Sequence, residues 1–310
     1  MKDLIILVPV YNESQAIPLF FEAVEPVFKK LNMDCGYLFV NDGSTDNSLE
    51  VIKNCAAKYG NVDYISLSRN FGKEAAMLCG LQNVNAKAVI PMDADLQDPP
   101  ELIEEFLKQW HNGFEMVYGV RSDRSSDGFF KRIVSESFYK VHNAFAQRPI
   151  PANTGDFRLL DKKVVDEFKK IDENTLFMKG LFNWVGFKSI GVNYKRPQRS
   201  AGKTKWSYWK LWNFALDGIF NSSTLPLRLW TYFGAFIASV SFVYAAWIIL
   251  KVFIYGKDVP GYASTAVLIL FFGGIQLISI GVMGEYIGRI FAEVRRRPVY
   301  IIKESSLKNE

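Results

Sequence analysis

The sequence has few histidines and few cysteines, and they are not spaced as a metal site. Its 310 residues include two histidines and three cysteines, Cys35, Cys55 and Cys79, without a C-x-x-C pair. Zinc sites are built mainly from these side chains at short spacings, so a zinc-binding domain is not expected. Single cysteines in apolar or helical surroundings are typical of reduced, buried thiols.

Glycine-rich phosphate loops are also absent from the sequence. No G-x-G-x-x-G and no P-loop follows an apolar run, which argues against a dehydrogenase and a P-loop NTPase. The first residues, MKDLIILVPVYNE, hold too short an apolar run for a signal peptide and no small-residue cleavage site. We therefore expect the front of the chain to stay in the cytosol.

Strong net charge is a third absence. A formal charge of +5 is small for this length, so a nucleic-acid partner is not expected. The composition, 49% hydrophobic and 15% aromatic, excludes a mostly disordered chain. A sizeable hydrophobic core is therefore expected.

The first 121 residues alternate between strand-like and helix-like segments. Helical spacing occurs in AIPLFFEAVEPVFKKL and LIEEFLKQW, and the short β-branched or aromatic runs are LIILVPV, YLFV, VDYISLS, AVIPM and EMVYGV. This order predicts an α/β domain with a mainly parallel sheet and helices on both faces. Ligands bind such sheets beyond the carboxyl ends of the strands.

Two long apolar runs follow, at 229–250 and 263–284. Each has 22 residues without a charge, and a membrane helix needs about 20. A pair of buried core helices is the alternative. The linker between the runs, KVFIYGKDVPGY, is short, whereas the flanks are rich in basic residues: Arg196, Arg199, Lys203, Lys205, Lys210 and Arg228 before the pair, and Arg289, Arg295, Arg296 and Arg297 after it. The positive-inside rule then places both flanks in the cytoplasm and predicts a multi-pass protein of the inner (cytoplasmic) membrane.

Residues 205–220, KWSYWKLWNFALDGIF, mix aromatic residues with lysines. An amphipathic helix in the membrane interface has this composition, although a soluble helix with an aromatic core face is an alternative. The predicted organisation is a cytoplasmic catalytic domain at 1–200, interfacial helices at 201–227, a two-helix transmembrane domain at 228–288 and a basic cytoplasmic tail at 289–310.

Three acids lie at the end of one predicted strand, in AVIPMDADLQDPPEL. For Asp98 we favour a helix N-cap, with Pro99 as the first helical residue and Glu101 three positions on. Asp93 and Asp95 have no such local role. Two carboxylates one residue apart can share Mg²⁺ or Mn²⁺, which water and substrate phosphate oxygens complete.

Other strand ends supply further polar side chains. Glu13 follows the first strand and Asp42 the second, where an acid can bind a ribose or a base. Asp46 or Asn47 is expected to cap the next helix. Arg69 and Lys73, after the third strand, could meet phosphate oxygens at a helix start. The candidates for nucleotide contact from these strand ends are thus Glu13, Asp42, Arg69 and Lys73.

Six segments in order, followed by the two apolar runs, carry a resemblance: VPVYNE, NDGSTD, RNFGKEAA, DADLQDPPE, NTGDFRLL and AGKTKWSYWKLWNFALDGI. Together they resemble the polyprenyl-phosphate glycosyltransferases of glycosyltransferase family 2, most closely those of the bactoprenol glucosyltransferase type. Dolichyl-phosphate mannose synthases are a more distant likeness. The resemblance implies a GT-A domain that transfers a sugar from a nucleotide diphosphate to a membrane-embedded polyprenyl phosphate, here glucose from UDP-glucose to undecaprenyl phosphate for cell-surface glycan modification.

The resemblance also implies roles for individual residues. It adds Gln97 to the metal ligands Asp93 and Asp95, and Asp93 also touches the nucleotide. The base and ribose pocket would be lined by Pro9, Tyr11, Glu13 and Asp42. The acceptor phosphate would be held by Arg121, Arg132, Arg199 and Lys205, and the catalytic residues would be Asp95, Asp156, Arg199 and Lys205.

Several alternatives stay open at this point. A phosphate monoester is largely dianionic near neutral pH, since its second pKa is about 6. Asp156 could therefore orient substrates rather than act as a base, or simply pair with Arg158. The basic residues could form a patch for anionic lipids. The donor could be UDP-N-acetylglucosamine, GDP-mannose or UDP-4-amino-4-deoxyarabinose, and the chain could be a non-catalytic membrane scaffold. A small homo-oligomer would suit two spans per chain.

Overall fold

The computed structural model describes residues 1–122, 151, 153–173, 176–195, 225–256 and 261–307. Its eight strands are β1 Lys2–Val10, β2 Cys35–Asn41, β3 Val62–Leu67, β4 Ala86–Pro91, β5 Met116–Arg121, β6 Thr154–Asp161, β7 Ser189–Tyr194 and β8 Ile302–Ser305. The helices in these ranges are α1 Ala16–Leu31, α2 Ser48–Lys58, α3 Lys73–Asn83, α4 Leu102–His111, α5 Lys162–Phe168, α6 Met178–Trp184, α7 Leu225–Tyr255 and α8 Tyr262–Val294.

The strands form one mixed sheet in the order β7-β5-β6-β4-β1-β2-β3-β8. Strands β1 to β4 pair in parallel, as does β5 with β7, whereas β6 and β8 run antiparallel to their neighbours. The five strands expected from the sequence are confirmed as β1 to β5. All seven residues of β2 are buried, as a continuous apolar run in a parallel sheet requires.

Helices cover both faces of the sheet. Apolar residues of α1, α2 and α4 pack against one face, and those of α3, α5 and α6 pack against the other. Cys35 and Cys79 lie in these cores as free thiols, and burial raises the pKa of Cys79 to about 12. The predicted α/β architecture, with helices on both faces of the sheet, is confirmed.

Strand β6 was not predicted as a strand, although it carries the segment NTGDFRLL. It lies between β4 and β5 and runs antiparallel to both, so its first residues lie beside the carboxyl end of β5. Thr154 of β6 is paired with Val120 of β5. This pairing brings Asp156 to the edge of the sheet where ligands are expected.

The end of the chain returns to the sheet as β8, within the segment predicted as a basic tail. Strand β8 pairs antiparallel with β3. Lys53 of α2 lies 2.8 Å from Glu304, and the Tyr300 hydroxyl donates to Gln82 Oε1 at 2.8 Å. The residues after α8 are therefore attached to the α/β domain by backbone and side-chain bonds.

Helices α7 and α8, of 31 and 33 residues, contain the two predicted apolar runs. Both are long and apolar enough to cross a membrane, over Trp230–Tyr255 and Phe271–Val294, and neither stretch is buried in the protein. They are two candidate membrane spans. The predicted interfacial helix at 205–220 lies outside the described residues.

Candidate active site

The loops after β1 and β2 are joined by side-chain bonds to backbone amides. Asn12 Oδ1 accepts from Thr45 N at 2.8 Å, and Asn12 N donates to Ser44 Oγ at 3.0 Å. Glu13 N donates to Ser48 Oγ at 2.9 Å. These bonds fix the loop in which Tyr11 is 37% exposed. Pro9 precedes this loop near the end of β1, half-buried, so the predicted nucleotide pocket residues share one edge.

Asp42 connects the loop after β2 to the loop after β3. Its carboxylate is 2% exposed and accepts from Phe71 N at 2.7 Å and Gly72 N at 2.9 Å. Burial raises the pKa of this carboxyl, and the two amide bonds only partly oppose the rise. A Cβ on Gly43 would lie 2.3 Å from the backbone carbon of Arg69, so the loops are in contact. The contact of Asp42 with a ribose or base stays a prediction.

Asp46 and Asn47 precede α2. Asn47 occupies the N-cap position without a side-chain bond, while Asp46 Oδ1 accepts from Ser48 N at 3.0 Å. Of the two predicted caps, Asp46 therefore supplies the carboxylate. In the next loop the Arg69 guanidinium is exposed, lies 3.9 Å from the Phe71 ring centre and donates to Asn70 O. Its phosphate contact stays a prediction.

Lys73, the first residue of α3, joins two carboxylates from different strands. Its Nζ lies 2.7 Å from Asp93 Oδ1 and 2.8 Å from Asp156 Oδ2, and its side chain is 42% exposed. Burial lowers the pKa of Lys73, but the charges of Asp156 and Asp93 outweigh it and raise the pKa overall. The two expected acids thus meet around one cation.

The pKa of Asp156 is held well below its usual range. Burial alone would raise it, but the charges of Lys73 and Lys179 and the hydrogen bond from Lys73 outweigh burial. The predicted alternative of pairing with Arg158 is not the main contact, because Arg158 donates to Gly155 O at 2.6 Å and stacks 3.8 Å from the Phe182 ring. Asp156 therefore stays ionised throughout the neutral range.

Asp93, Asp95 and Gln97 fit the ligand set expected for Mg²⁺ or Mn²⁺. Asp95 Oδ1 accepts from Gln97 N at 3.2 Å, which folds the loop back on itself. Gln97 is 9% exposed, and its Oε1 is buried without a hydrogen-bond partner among the described residues. A buried, unsatisfied amide oxygen on the same loop as Asp93 and Asp95 is a hard oxygen ligand whose desolvation a cation would offset.

This ligand set differs from a cluster built only of ionisable side chains. Across the described ranges, no group of three or more histidine, cysteine, aspartate or glutamate side chains is placed to hold a metal ion. The third oxygen here comes from an amide, and Mg²⁺ in nucleotide sites usually has only one or two carboxylates. Such a donor set suits Mg²⁺ or Mn²⁺ when a phosphorylated ligand completes the coordination, and the metal role of these residues stays a prediction.

Asp98 has a different role from the one predicted. Helix α4 begins at Leu102 with Glu101 at its N-cap position, and Glu101 makes no side-chain cap bond. The predicted start at Pro99 is therefore wrong. The Asp98 carboxylate instead accepts from the Tyr194 hydroxyl at 2.6 Å, and Arg121 Nε donates to the same hydroxyl at 3.4 Å. Arg121 thus lies at the site, linked through Tyr194 to the loop of Asp95.

Glu74 is a site residue that the sequence reasoning missed. It follows Lys73 on α3, and its Oε2 accepts from Met178 N at 2.6 Å. Burial first, and then the negative charge of Asp156, raise its pKa to about 7. The signal was present in RNFGKEAA, where a glutamate follows the lysine, but its partners lie about 80 and 100 residues away.

Glu74→Gln is expected to change how stability depends on pH. The folded-state pKa of about 7 lies above the usual value of 4.5, so the folded state binds more protons between these values. The contribution of Glu74 to stability is full below pH 4.5 and is lost as pH rises through 7. Glutamine keeps the acceptor for Met178 N but not the proton. We measure the unfolding midpoint in detergent from pH 5 to 8. The midpoint of the variant minus that of wild type should increase as pH rises.

The matched control is Glu167→Gln, which alters an exposed glutamate paired with Lys170. It should follow the wild-type curve. A constant offset between Glu74→Gln and wild type at every pH would contradict the linkage.

Three predicted acceptor residues, Arg132, Arg199 and Lys205, lie outside the described residues. Of the four residues predicted to hold the acceptor phosphate, Arg121 lies within the described residues. The predicted roles of all four stay predictions.

The chain is similar to known proteins over almost its whole length. It is 48% identical over 304 residues to the SfII prophage-derived bactoprenol glucosyl transferase of Shigella flexneri, covering 98% of each chain. It is 49% identical over 298 residues to the prophage bactoprenol glucosyl transferase homolog of Escherichia coli K12, covering 96% of this chain and 97% of the relative.

The fold also has a counterpart among solved structures. The crystal structure of mannosyl-3-phosphoglycerate synthase from Rubrobacter xylanophilus superposes with a TM-score of 0.51 over 74% of each chain, at 16% identity. At that identity the likeness concerns the fold alone.

Two families match by sequence. Residues 5–169 match "Glycosyl transferase family 2", and residues 225–290 match "GtrB C-terminal hairpin". The second range contains α7 and most of α8. The glycosyltransferase match covers more than half of the chain and includes most of β1 and all of β2 to β6, whose fold is of GT-A type. The relatives, at 48–49% identity, are glycosyltransferases by name. The chain belongs to glycosyltransferase family 2.

Proposed function

We propose that this protein transfers glucose from UDP-glucose to undecaprenyl phosphate, with inversion at the anomeric carbon, giving a β-linked polyprenyl-phosphate glucose for cell-surface glycan modification. The observation that carries the proposal is the cluster at the carboxyl edge of the sheet, where Lys73 joins Asp93 and Asp156 beside Asp95 and Gln97. Relatives with 48–49% identity that are named bactoprenol glucosyl transferases support the acceptor and the sugar.

The donor end of the site would be organised around Asp93, Asp95 and Gln97. These residues would hold Mg²⁺ or Mn²⁺, which when bound neutralises the negative charge that develops on the departing diphosphate. Lys73 offers a second positive charge at the same place, already positioned by Asp93 and Asp156. Pro9, Tyr11, Glu13, Asp42, Arg69 and Asp93 would contact the nucleotide.

The acceptor phosphate needs positioning more than deprotonation. It is largely dianionic near neutral pH, since its second pKa is about 6. Asp156 is a poor base there, because the pKa of an effective base lies near the working pH and that of Asp156 is held far below it. We assign Asp156 to orientation of the sugar or acceptor, and Arg121 with Arg132, Arg199 and Lys205 to the phosphate. Direct attack by that phosphate, without an enzyme nucleophile, inverts the anomeric centre.

A membrane-embedded acceptor requires a protein at the bilayer. Helices α7 and α8 would span the inner membrane, and the basic residues around Arg289 and Arg295–Arg297 would keep the α/β domain on the cytoplasmic side, where nucleotide sugars are made. Contact with membrane lipids follows from this placement. A small homo-oligomer and the lack of a nucleic-acid partner stay predictions.

A donor screen tests the proposal. Purified protein, undecaprenyl phosphate and Mg²⁺ or Mn²⁺ are incubated with UDP-glucose, UDP-N-acetylglucosamine, GDP-mannose or UDP-4-amino-4-deoxyarabinose. We expect lipid-linked glucose from UDP-glucose. In proton NMR, the coupling between the anomeric proton and its neighbour on C2 should identify the β-anomer.

Each other outcome has a defined meaning. Preference for another nucleotide sugar would overturn the donor but keep the reaction class. An α-linked product would overturn direct displacement. No lipid product from any donor, while UDP still binds, would favour the non-catalytic scaffold.

A further inference from the structure

Tyr194 joins two parts of the site that come from distant segments of the chain. It is the last residue of β7, is 6% exposed and donates its hydroxyl proton to Asp98 Oδ1 at 2.6 Å. The same hydroxyl oxygen accepts from Arg121 Nε at 3.4 Å. A tyrosine hydroxyl can do both at once, since it carries one donor and two acceptor lone pairs.

The backbone holds Tyr194 and Arg121 in fixed register. Strands β5 and β7 are parallel, and Arg121 is paired with Tyr194. Ser122 then donates to Tyr194 O twice, from its N and from its Oγ, each at 2.9 Å. These bonds therefore hold Tyr194 and Arg121 side by side on neighbouring strands, from which their side chains meet.

Two glycines leave the room that this arrangement needs. A Cβ on Gly119 would lie 2.7 Å from Tyr194 Cε1, and a Cβ on Gly155 would lie 3.0 Å from Arg121 Nη2. Carbon atoms in contact normally stay about 3.5 Å or more apart, so a larger residue at Gly119 would displace the tyrosine ring. Phe157 packs against that ring edge-on, with centroids 6.2 Å apart.

The hydroxyl stays protonated at any working pH. Burial, followed by the charge and hydrogen bond of Asp98, raises the pKa of Tyr194 to about 12. The proton therefore remains available to Asp98 while the oxygen accepts from Arg121. Asp98 is the residue next to Gln97, so the bond ends one residue from the proposed metal ligands.

We propose that Tyr194 is a positioning residue that couples the loop of Asp95 and Gln97 to Arg121, and so sets the acceptor phosphate at a fixed distance from the donor diphosphate. This inference rests on the proposed function, because it takes Arg121 to bind the acceptor phosphate. It assigns to Tyr194 no contact with either substrate. The segment that follows it, 196–224, carries Arg199 and Lys205.

Tyr194→Phe tests the proposal, since it removes only the hydroxyl. We expect the KM for undecaprenyl phosphate to rise about tenfold, as loss of a hydrogen bond to a charged group predicts, with the KM for UDP-glucose changed less than about twofold. Tyr118→Phe is the matched control. Tyr118 lies on β5, half-buried, and its hydroxyl makes no hydrogen bond within the described residues.

A double-mutant cycle with Arg121→Ala separates coupling from loss of packing. If Tyr194 acts through Arg121, Tyr194→Phe should add little to the acceptor KM once Arg121 is gone. Fully additive losses, an unchanged acceptor KM in Tyr194→Phe, or an equal effect of Tyr118→Phe would each overturn the proposal.

Failure of the proposed function would show separately. If wild type does not transfer glucose, the assigned donor or reaction is wrong, and the cycle is then measured on binding of undecaprenyl phosphate in nanodiscs without donor. Weaker binding in Tyr194→Phe and not in Tyr118→Phe would still support the coupling. Equal binding by all three proteins would overturn it.

Discussion

Asp95→Ala is expected to reduce sugar transfer by about 10²–10³-fold, the loss usual when a group that stabilises developing charge is removed. The variant removes one of two carboxylates from a loop whose third oxygen, Gln97 Oε1, has no hydrogen-bond partner among the described residues. It also removes the acceptor for Gln97 N, so the loop loses one hydrogen bond as well as a charge. Transfer from labelled UDP-glucose, measured with Mg²⁺ and with Mn²⁺, gives the readout.

Metal-dependent nucleotide binding separates this effect from misfolding. We expect the gain in UDP affinity that Mn²⁺ gives to wild type to disappear in Asp95→Ala, while the unfolding midpoint changes little. Asp166→Ala is the control, because Asp166 is an exposed carboxylate on α5 that pairs with Lys162. Undiminished transfer by Asp95→Ala, or an equal loss in Asp166→Ala, would refute the role of Asp95.

Asp156→Asn is the second large effect, expected to lower the turnover rate about 10²-fold, the loss usual when a reactant is misplaced. The amide keeps the size of the side chain but has no negative charge. Of the two carboxylates that pair with Lys73, only that of Asp93 then remains. In a Glu74→Gln background the fall should be the same factor from pH 5.5 to 9, because the pKa of Asp156 lies well below this range and Glu74, whose pKa responds to the charge of Asp156, no longer titrates. Protonation of the acceptor phosphate affects both proteins and cancels in the ratio.

A base with a pKa inside that range would behave differently. The activity of the protein with Asp156 would then fall more steeply on the acid side than that of Asp156→Asn, so the ratio of the two rates would change with pH. Such a ratio would contradict an orienting role and restore Asp156 as the general base. Asp166→Asn, with unchanged rates, controls for the loss of a surface charge.

The sequence predicted the parts of the site that follow apolar strands. Asp93 and Asp95 were recognisable because they come directly after a buried run without a local capping role. Asp98 was misassigned because its real partner, Tyr194, lies 96 residues along the chain. A capping pattern is local, whereas a hydrogen bond between strand ends depends on which strands are neighbours in the sheet. The same reason hid Glu74, which binds the backbone of Met178.

The fold divides in a similar way. Strands β1 to β4 are apolar and followed by helices, and β5 is a short apolar run, so the hydrophobic pattern identifies all five. Strand β8 has the sequence IKES, is largely exposed and lies at the sheet edge, so it carries no apolar pattern to read. Its pairing with β3 joins residues about 240 positions apart. Only the tertiary structure shows that β6 stands between β4 and β5 and brings Asp156 to Lys73.

The pairing of β8 with β3 constrains how the chain can pass through a bilayer. Strand β7, before α7, and strand β8, after α8, belong to one sheet, and one sheet lies on one side of a membrane. The number of crossings between Tyr194 and Ile302 must therefore be even. Among the described residues, α7 and α8 satisfy this parity when both cross a membrane or when neither does. The pairing of β8 with β3 thus keeps both ends of the segment that contains α7 and α8 attached to the same sheet.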